Sequence, residues 1–531
     1  MQSDKHVFVR KTTGLVRELS AFDGFILNSG QIAAACFWVL FYWVGAFPQS
    51  NLALAVIVGF VPILFIGLVY SQLSAAMPRS GGDYVYVSRI INPALGFVVS
   101  FFFLFYWTLT AGAINAGAQT VPIMAVFFDI GGTLLHNQAL LNMGTALNET
   151  FWNTIGGVVV IVLATSLTVL SVKKVFKTMA IMLFVSFAGL LLFGIVSLIT
   201  PNATFVAQLE TSNHIPGLYQ SMMNKAVDVG YSPGWTMQNT LTYAMPYVFL
   251  LLGGYSLSTY TGGEVKKASR SLPISIMSSI LVGAIMYSLL FALSYNMIGY
   301  DFLNGANYIY YSVSPNGFLL NRPPIIPYLL ASLTLNPILI LFIEFAFLIG
   351  GFWLTMTSFP IGARILFSWA FDRVAPSKIA DVNDRWHTPH IATAICGIGA
   401  IICLVLYNYT DWFANLLNLI IGYTFVTAIV MIVGMLLPFR RTEIWASSPS
   451  ITKAKIRKIP LITVFGAISL VYLAYVIWAG VAAATITLDL PSVAVPMSVM
   501  LFAAGLFYLI RAYRKRNGID LDLVFKQIPE E

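Results

Sequence analysis

Charge is what this chain has least of. Only 9% of its 531 residues are Asp, Glu, Lys or Arg, while 58% are hydrophobic. A soluble domain carries roughly 25% charged residues, so a soluble globular fold is excluded. Histidine is scarce, at 5, and no His/Glu metal spacing falls inside an apolar run, which argues against a membrane metalloenzyme. The phosphate-cradling loop of ATP-driven pumps is missing, and so is any repeated loop of the kind that builds a channel filter. The 3 cysteines, Cys36, Cys396 and Cys403, all sit in apolar runs. They cannot staple loops and show no metal spacing. Alternating segments of about ten residues, the mark of a membrane barrel, are absent. No small-residue cleavage site follows the first apolar run, so no leader peptide is expected there.

What the chain does have is apolar runs of bilayer length. A crossing helix needs about 20 residues. Twelve such spans fall at 20–45, 52–76, 94–127, 153–172, 178–200, 240–260, 272–298, 326–366, 390–407, 412–437, 460–483 and 491–512. The third and eighth exceed one bilayer thickness and should tilt or run into loops. The fold class is therefore an all-α integral membrane protein. With a cytoplasmic N-terminus, every Lys and Arg but Lys225 and Arg322 falls on the inner side. That asymmetry places both termini in the cytoplasm. The net charge of +8 is a topology signal and not a nucleic-acid one. Each basic residue is read as an orientation or headgroup contact. The outer segments 128–152, 201–239 and 299–325 are read as loops. The glycosylation tripeptides at Asn148, Asn202 and Asn408 all fall on the outer side, which suits a plasma-membrane location.

The first span is a poor helix in its middle, where Asn28, Ser29 and Gly30 stand together. These residues favour other backbone states. Irregular backbone at membrane depth survives only when buried in protein or lining a cavity. Either the stretch is part of a site, or its small residues let a neighbouring helix approach. The sixth span carries a Gly253-Gly254 pair, costing about 2 kcal/mol of helix propensity against Ala. Paired interruptions in the two halves of a chain point to a transporter binding site.

Four stretches carry a family resemblance. The segment Ser71 to Arg89 contains Pro78-Arg79-Ser80-Gly81-Gly82-Asp83-Tyr84-Val85-Tyr86, read as a helix stop, a tight turn and an amphipathic piece at the inner surface. It resembles the hallmark of the amino acid–polyamine–organocation (APC) transporter superfamily. Leu15 to Phe22, Gly262 to Pro273, and Ala363 to Pro376 with Asp384 to Pro389 are similar to the family's other inner segments.

The resemblance implies a LeuT-like fold of two inverted five-helix repeats, 20–200 and 240–437. Helices eleven and twelve (460–512) and cytoplasmic tails (1–19 and 513–531) complete the chain. It implies an amino acid permease, not an enzyme, without a cofactor. A substrate carboxylate would meet the broken first helix at Asn28, Ser29 and Gly30 and the following Ala33, Ala34 and Ala35. Its ammonium would meet carbonyls of that break and of Gly253, beside Gly254. Trp107, Phe249, Leu250 and Tyr255 would form an apolar, aromatic wall. Ser256 stands where relatives often carry an acid, and Ala33-Ala34-Ala35 where they often carry Gly-Ser-Gly. The substrate expected is a neutral, apolar amino acid or a related amine, moved by alternating access on a proton or sodium gradient. For coupling, Glu344 is the acid well inside a span, and the family's lysine in the fifth span is absent. Thr355, Thr357 and Ser358 could offer oxygens to sodium instead. The alternatives are an amino acid exchanger or a non-transporting sensor on the same fold. The partners implied are the substrate and the lipid bilayer, not nucleic acid, and the oligomeric state is left open.

Overall fold

The computed structural model describes residues 16–30, 47, 49–313, 318–320, 322–383, 385–386, 388–410, 419–483 and 490–525. Ala33, Ala34 and Ala35, with the rest of the first span, lie outside the described residues. Ten described helices are long and apolar enough to cross a membrane. They are Leu52–Ala76, Pro93–Leu134, Thr150–Val169, Val172–Ile199, Ala268–Ile298, Pro337–Phe371, His390–Tyr409, Ile421–Arg440, Leu461–Ala482 and Val495–Arg516. In the span numbering above these are spans two to five and seven to twelve. Span six does not form a long continuous α-helix, and of span one only Ala21–Ser29 is described as helix.

Local chemistry sets several starts. Asn51 caps span two by accepting from the Leu54 N–H. Asn92 caps span three ahead of Pro93, and Asn336 caps span eight ahead of Pro337. Proline suits the first turn because its missing N–H would have had no partner there. Span eight thus begins at Pro337, later than expected from apolar length alone. The stretch before it forms a separate short helix, Ile326–Ala331. Span three is longer than expected, and wide i→i+5 turns interrupt it at Leu104–Thr110 and Asn115–Thr120.

Two further expectations change. The outer segments are helical, with Gln138–Ala146, Asn202–Asn213, Leu218–Asp228 and Tyr300–Tyr308. The Asn408 amide donates to Asn153 and Thr154 between spans nine and four, so it is engaged in helix packing. The amphipathic piece, Asp83–Ile90, does not lie on the surface, because every one of its residues is buried. Span ten and the C-terminal Phe525 cover it.

Packing pairs helices five apart in the span order. Span two packs along span seven, span three against span eight, and span four against span nine. The described part of span one packs on spans six and seven.

Candidate functional site where spans one and six meet

Span one opens with a reciprocal cap. Ser20 and Asp23 satisfy each other's backbone N–H groups, and the helix runs Ala21–Ser29. At Gly30 the N–H bonds back to the Leu27 carbonyl, three residues away instead of four. Gly30 keeps helical dihedrals, at φ −57° and ψ −30°, and the chain beyond the expected interruption at Asn28-Ser29-Gly30 lies outside the described residues. Glycine is required there by contact. A Cβ on Gly30 would sit 2.4 Å from Cγ2 of Thr357 on span eight.

Span six changes helix type instead of opening into a gap. It passes from α-helix at Met245–Leu251, through Leu252 at φ −91° and ψ 5°, to a 3₁₀ helix over Gly253–Tyr260. Such helices rarely exceed 3–4 residues, so eight in a row marks a special segment. Gly253 permits it. A Cβ there would meet the Tyr423 ring at 2.9 Å, and the Tyr423 hydroxyl donates to the Gly253 carbonyl. That carbonyl, expected to await an ammonium, is already engaged.

The two segments are tied side chain to backbone. The Ser258 N–H donates to Asn28 Oδ1 at 2.7 Å. Around this junction, Asn28 Nδ2, Ser29 Oγ, Tyr255 OH, Ser256 Oγ and Ser258 Oγ are buried without a hydrogen-bond partner among the described residues. Each such group costs about 1–3 kcal/mol if left alone. Their concentration on two facing segments makes the junction suited to a polar ligand or ordered water. Two of the residues expected to form an aromatic wall meet the ring of Tyr423. Trp107, on a wide turn of span three, lies 5.2 Å from Tyr423, and Phe249 lies 4.9 Å from the same ring. Leu250, the next residue after Phe249, is half-buried. Tyr255 turns toward span two, with its ring 5.6 Å from that of Tyr70.

The coupling residues do not share one place. Thr357 adjoins the first break, with its Oγ1 donating to the Leu354 carbonyl at 2.7 Å. Thr355 bonds Gly351 and Thr120. Ser358 is buried on the same helix. Glu344 lies 13 residues from Thr357, about 20 Å along the helix at 1.5 Å per residue. It is 1% exposed, and neither carboxylate oxygen has a partner among the described residues.

The four family-like stretches converge at one end of the bundle, where the basic loops lie. Leu19 pairs with Val265, and Ser80 with Thr261, as backbone bridges. Arg364 grips Glu264 with two bonds of 2.8 and 2.9 Å. Arg89 grips Asp372 with two of 2.8 and 2.7 Å. All four side chains are buried. Arg89 and Arg364 are therefore interior ion-pair partners and not headgroup contacts. Gly81 and Gly82 turn the chain here at φ +102° and +49°, values that suit glycine. Sequence reasoning missed these pairs and Tyr423. The usable signal was the acids Glu264 and Asp372, each standing inside a basic motif.

Comparison with known proteins agrees with this architecture. The sequence model of the family described as "Amino acid permease" matches residues 24–507. The branched-chain amino acid permease BcaP of Bacillus subtilis (strain 168) is 21% identical over 387 residues, covering 72% of this chain and 73% of that protein. The methylthioribose transporter of the same organism is 22% identical over 302 residues, covering 55% and 58%. With ten membrane-length helices among the described residues, a 3₁₀ segment in span six and a match that spans nearly its whole length, the chain belongs to the amino acid permease family of the APC superfamily.

Proposed function

We propose that the chain is a secondary active permease that carries a neutral, apolar amino acid across the plasma membrane by alternating access. The observation that carries this reading is the junction of spans one and six. There, buried polar atoms with no partner among the described residues stand near the rings of Trp107, Phe249 and Tyr423. The polar atoms suit the backbone groups of an amino acid, and the rings suit an apolar side chain. The pairing of spans two with seven, three with eight and four with nine is what two inverted repeats of a LeuT-like fold would give. The basic loops would face the cytoplasm. The relative named for branched-chain amino acids supports the substrate class, and the one named for methylthioribose marks how far relatives diverge.

The test is counterflow. Liposomes loaded with unlabelled leucine or valine should transiently accumulate the labelled amino acid above equilibrium. Binding without accumulation would make the chain a sensor and sink the proposal. Strict dependence on internal substrate would make it an exchanger.

A proton is the favoured driving ion. Thr357 turns its methyl carbon, more than its oxygen, toward the place a Cβ on Gly30 would take. Glu344 is a candidate carrier, being buried with no hydrogen-bond partner for either carboxylate oxygen among the described residues. The variant Glu344→Gln should keep exchange but lose uptake driven by an imposed pH gradient, because exchange needs no proton release. Undiminished gradient-driven accumulation in that variant would leave Glu344 a packing residue.

A further inference from the structure

Asp83 is 0% exposed at the first turn of Asp83–Ile90, and no Lys or Arg forms an ion pair with it among the described residues. Its Oδ2 accepts from the Tyr260 hydroxyl at 2.9 Å and the Tyr70 hydroxyl at 3.3 Å. Its Oδ1 has no partner among the described residues. The carboxyl thus joins three elements at the basic end: span two through Tyr70, the 3₁₀ segment of span six through Tyr260, and the buried helix that carries it. The titratable groups near it are tyrosines: Tyr70 from span two, Tyr86 from its own helix, Tyr255 and Tyr260 from span six, and Tyr423 from span ten. The charges on neighbouring elements are already paired, Glu264 with Arg364 and Arg89 with Asp372. Arg79 is the nearest basic residue in sequence, on the loop before Gly81-Gly82. The tyrosines also link the carboxyl toward the junction, since Tyr70 touches Tyr255 and Tyr423 holds Gly253.

We propose that Asp83 is a proton-binding site that holds the basic end of the bundle closed when protonated and gives up its proton as that end opens. The role in transport rests on the permease reading above. The physical case does not. Burial pushes the Asp83 carboxyl up to about 7, against the pull of the two tyrosine hydroxyls. Opening would hydrate the group and return it toward about 4. The closed form then binds the proton more tightly. Closure is favoured in acid, weakens about ten-fold per pH unit between about 4 and about 7, and is level above that. A proton released on the side toward which substrate leaves is the arrangement of a symporter.

The experiment uses spin labels at Ser269→Cys and Ser377→Cys, two exposed positions at the basic end, in the purified full chain. Their distance distribution is followed from about pH 4 to about pH 8. In the otherwise unaltered protein the longer-distance population should grow as pH rises. Asp83→Asn should stay at the short distance throughout. Tyr260→Phe removes a donor to the charged form and should move the transition up by about one pH unit. In parallel, the carboxyl infrared band titrating near neutral should vanish in Asp83→Asn. A pH-independent distance, an Asp83→Asn protein that follows pH as before, or an unmoved transition in Tyr260→Phe would each overturn the proposal. If Asp83→Asn does not fold, the Tyr260→Phe shift decides alone. None of these readouts needs a substrate, so they remain decisive even if counterflow fails.

Discussion

Gly30→Ala is expected to cut transport by about ten-fold or more while the protein still reaches the membrane. The added carbon would lie 2.4 Å from Cγ2 of Thr357, closer than any real contact. Overpacking of this kind costs about 1–3 kcal/mol, and about 1.4 kcal/mol in the barrier is a ten-fold change in rate. The strain falls at the end of Ala21–Ser29, beside Asn28, which is tied to Ser258. A second change identifies the cause. Thr357→Ser deletes the methyl carbon that clashes, so the double variant Gly30→Ala with Thr357→Ser should regain much of the lost rate. Initial uptake, normalised to surface protein, reads both. Full transport by Gly30→Ala, or no recovery in the double variant, would show that the contact between spans one and eight does not govern transport.

The second large effect concerns the basic end. Glu264 and Arg364 are 0% and 4% exposed and hold each other by two bonds. Glu264→Ala leaves a guanidinium buried without its carboxylate, at a cost of about 3–5 kcal/mol. That is a large part of the 5–15 kcal/mol typical of folded proteins. The variant should accumulate poorly and melt early in detergent. Replacing both charges with apolar groups, Glu264→Leu with Arg364→Met, should restore most of the stability, since desolvated pairs gain little over a well-packed apolar contact. Thermal unfolding of the two proteins is the check. Equal stability of Glu264→Ala and the parent would mean that the pair is dispensable.

What was legible in the sequence was what local pattern can carry. Apolar length marked the ten membrane-length helices among the described residues, and Gly-Gly marked where span six departs from regular α-helix. Capping asparagines and prolines could have corrected the start of span eight, since Asn336-Pro337 is a start signal. The character of the second interruption was not legible. Two glycines permit an open loop or a 3₁₀ helix equally, and the Tyr423 contact that accompanies the outcome comes from 170 residues away. The ion pairs at the basic end were hidden for the same reason. Glu264 and Arg364 are 100 residues apart, and Arg89 and Asp372 are 283 apart. A basic residue in a short loop reads as an orientation signal, and only the folded chain reveals which ones turn inward to meet an acid. Asp83 looked like one residue of a motif until burial and two hydroxyls gave it a chemical setting.

The central claim is that the substrate occupies the junction of spans one and six. The most direct test places a thiol there. Ser29→Cys sits at the end of the described part of span one, fully buried, at a position whose hydroxyl has no partner among the described residues. Ser469→Cys, on span eleven and equally buried, is the control. With Cys36, Cys396 and Cys403 changed to serine in both, the rate of alkylation by a small permeant reagent is measured with and without saturating leucine. Leucine should slow labelling of Ser29→Cys by about ten-fold or more, as occupancy at about ten times Kd leaves roughly a tenth of the sites free. It should leave Ser469→Cys unchanged. Equal rates at Ser29→Cys with and without leucine, in a protein shown to bind it, would place the substrate elsewhere and contradict the account.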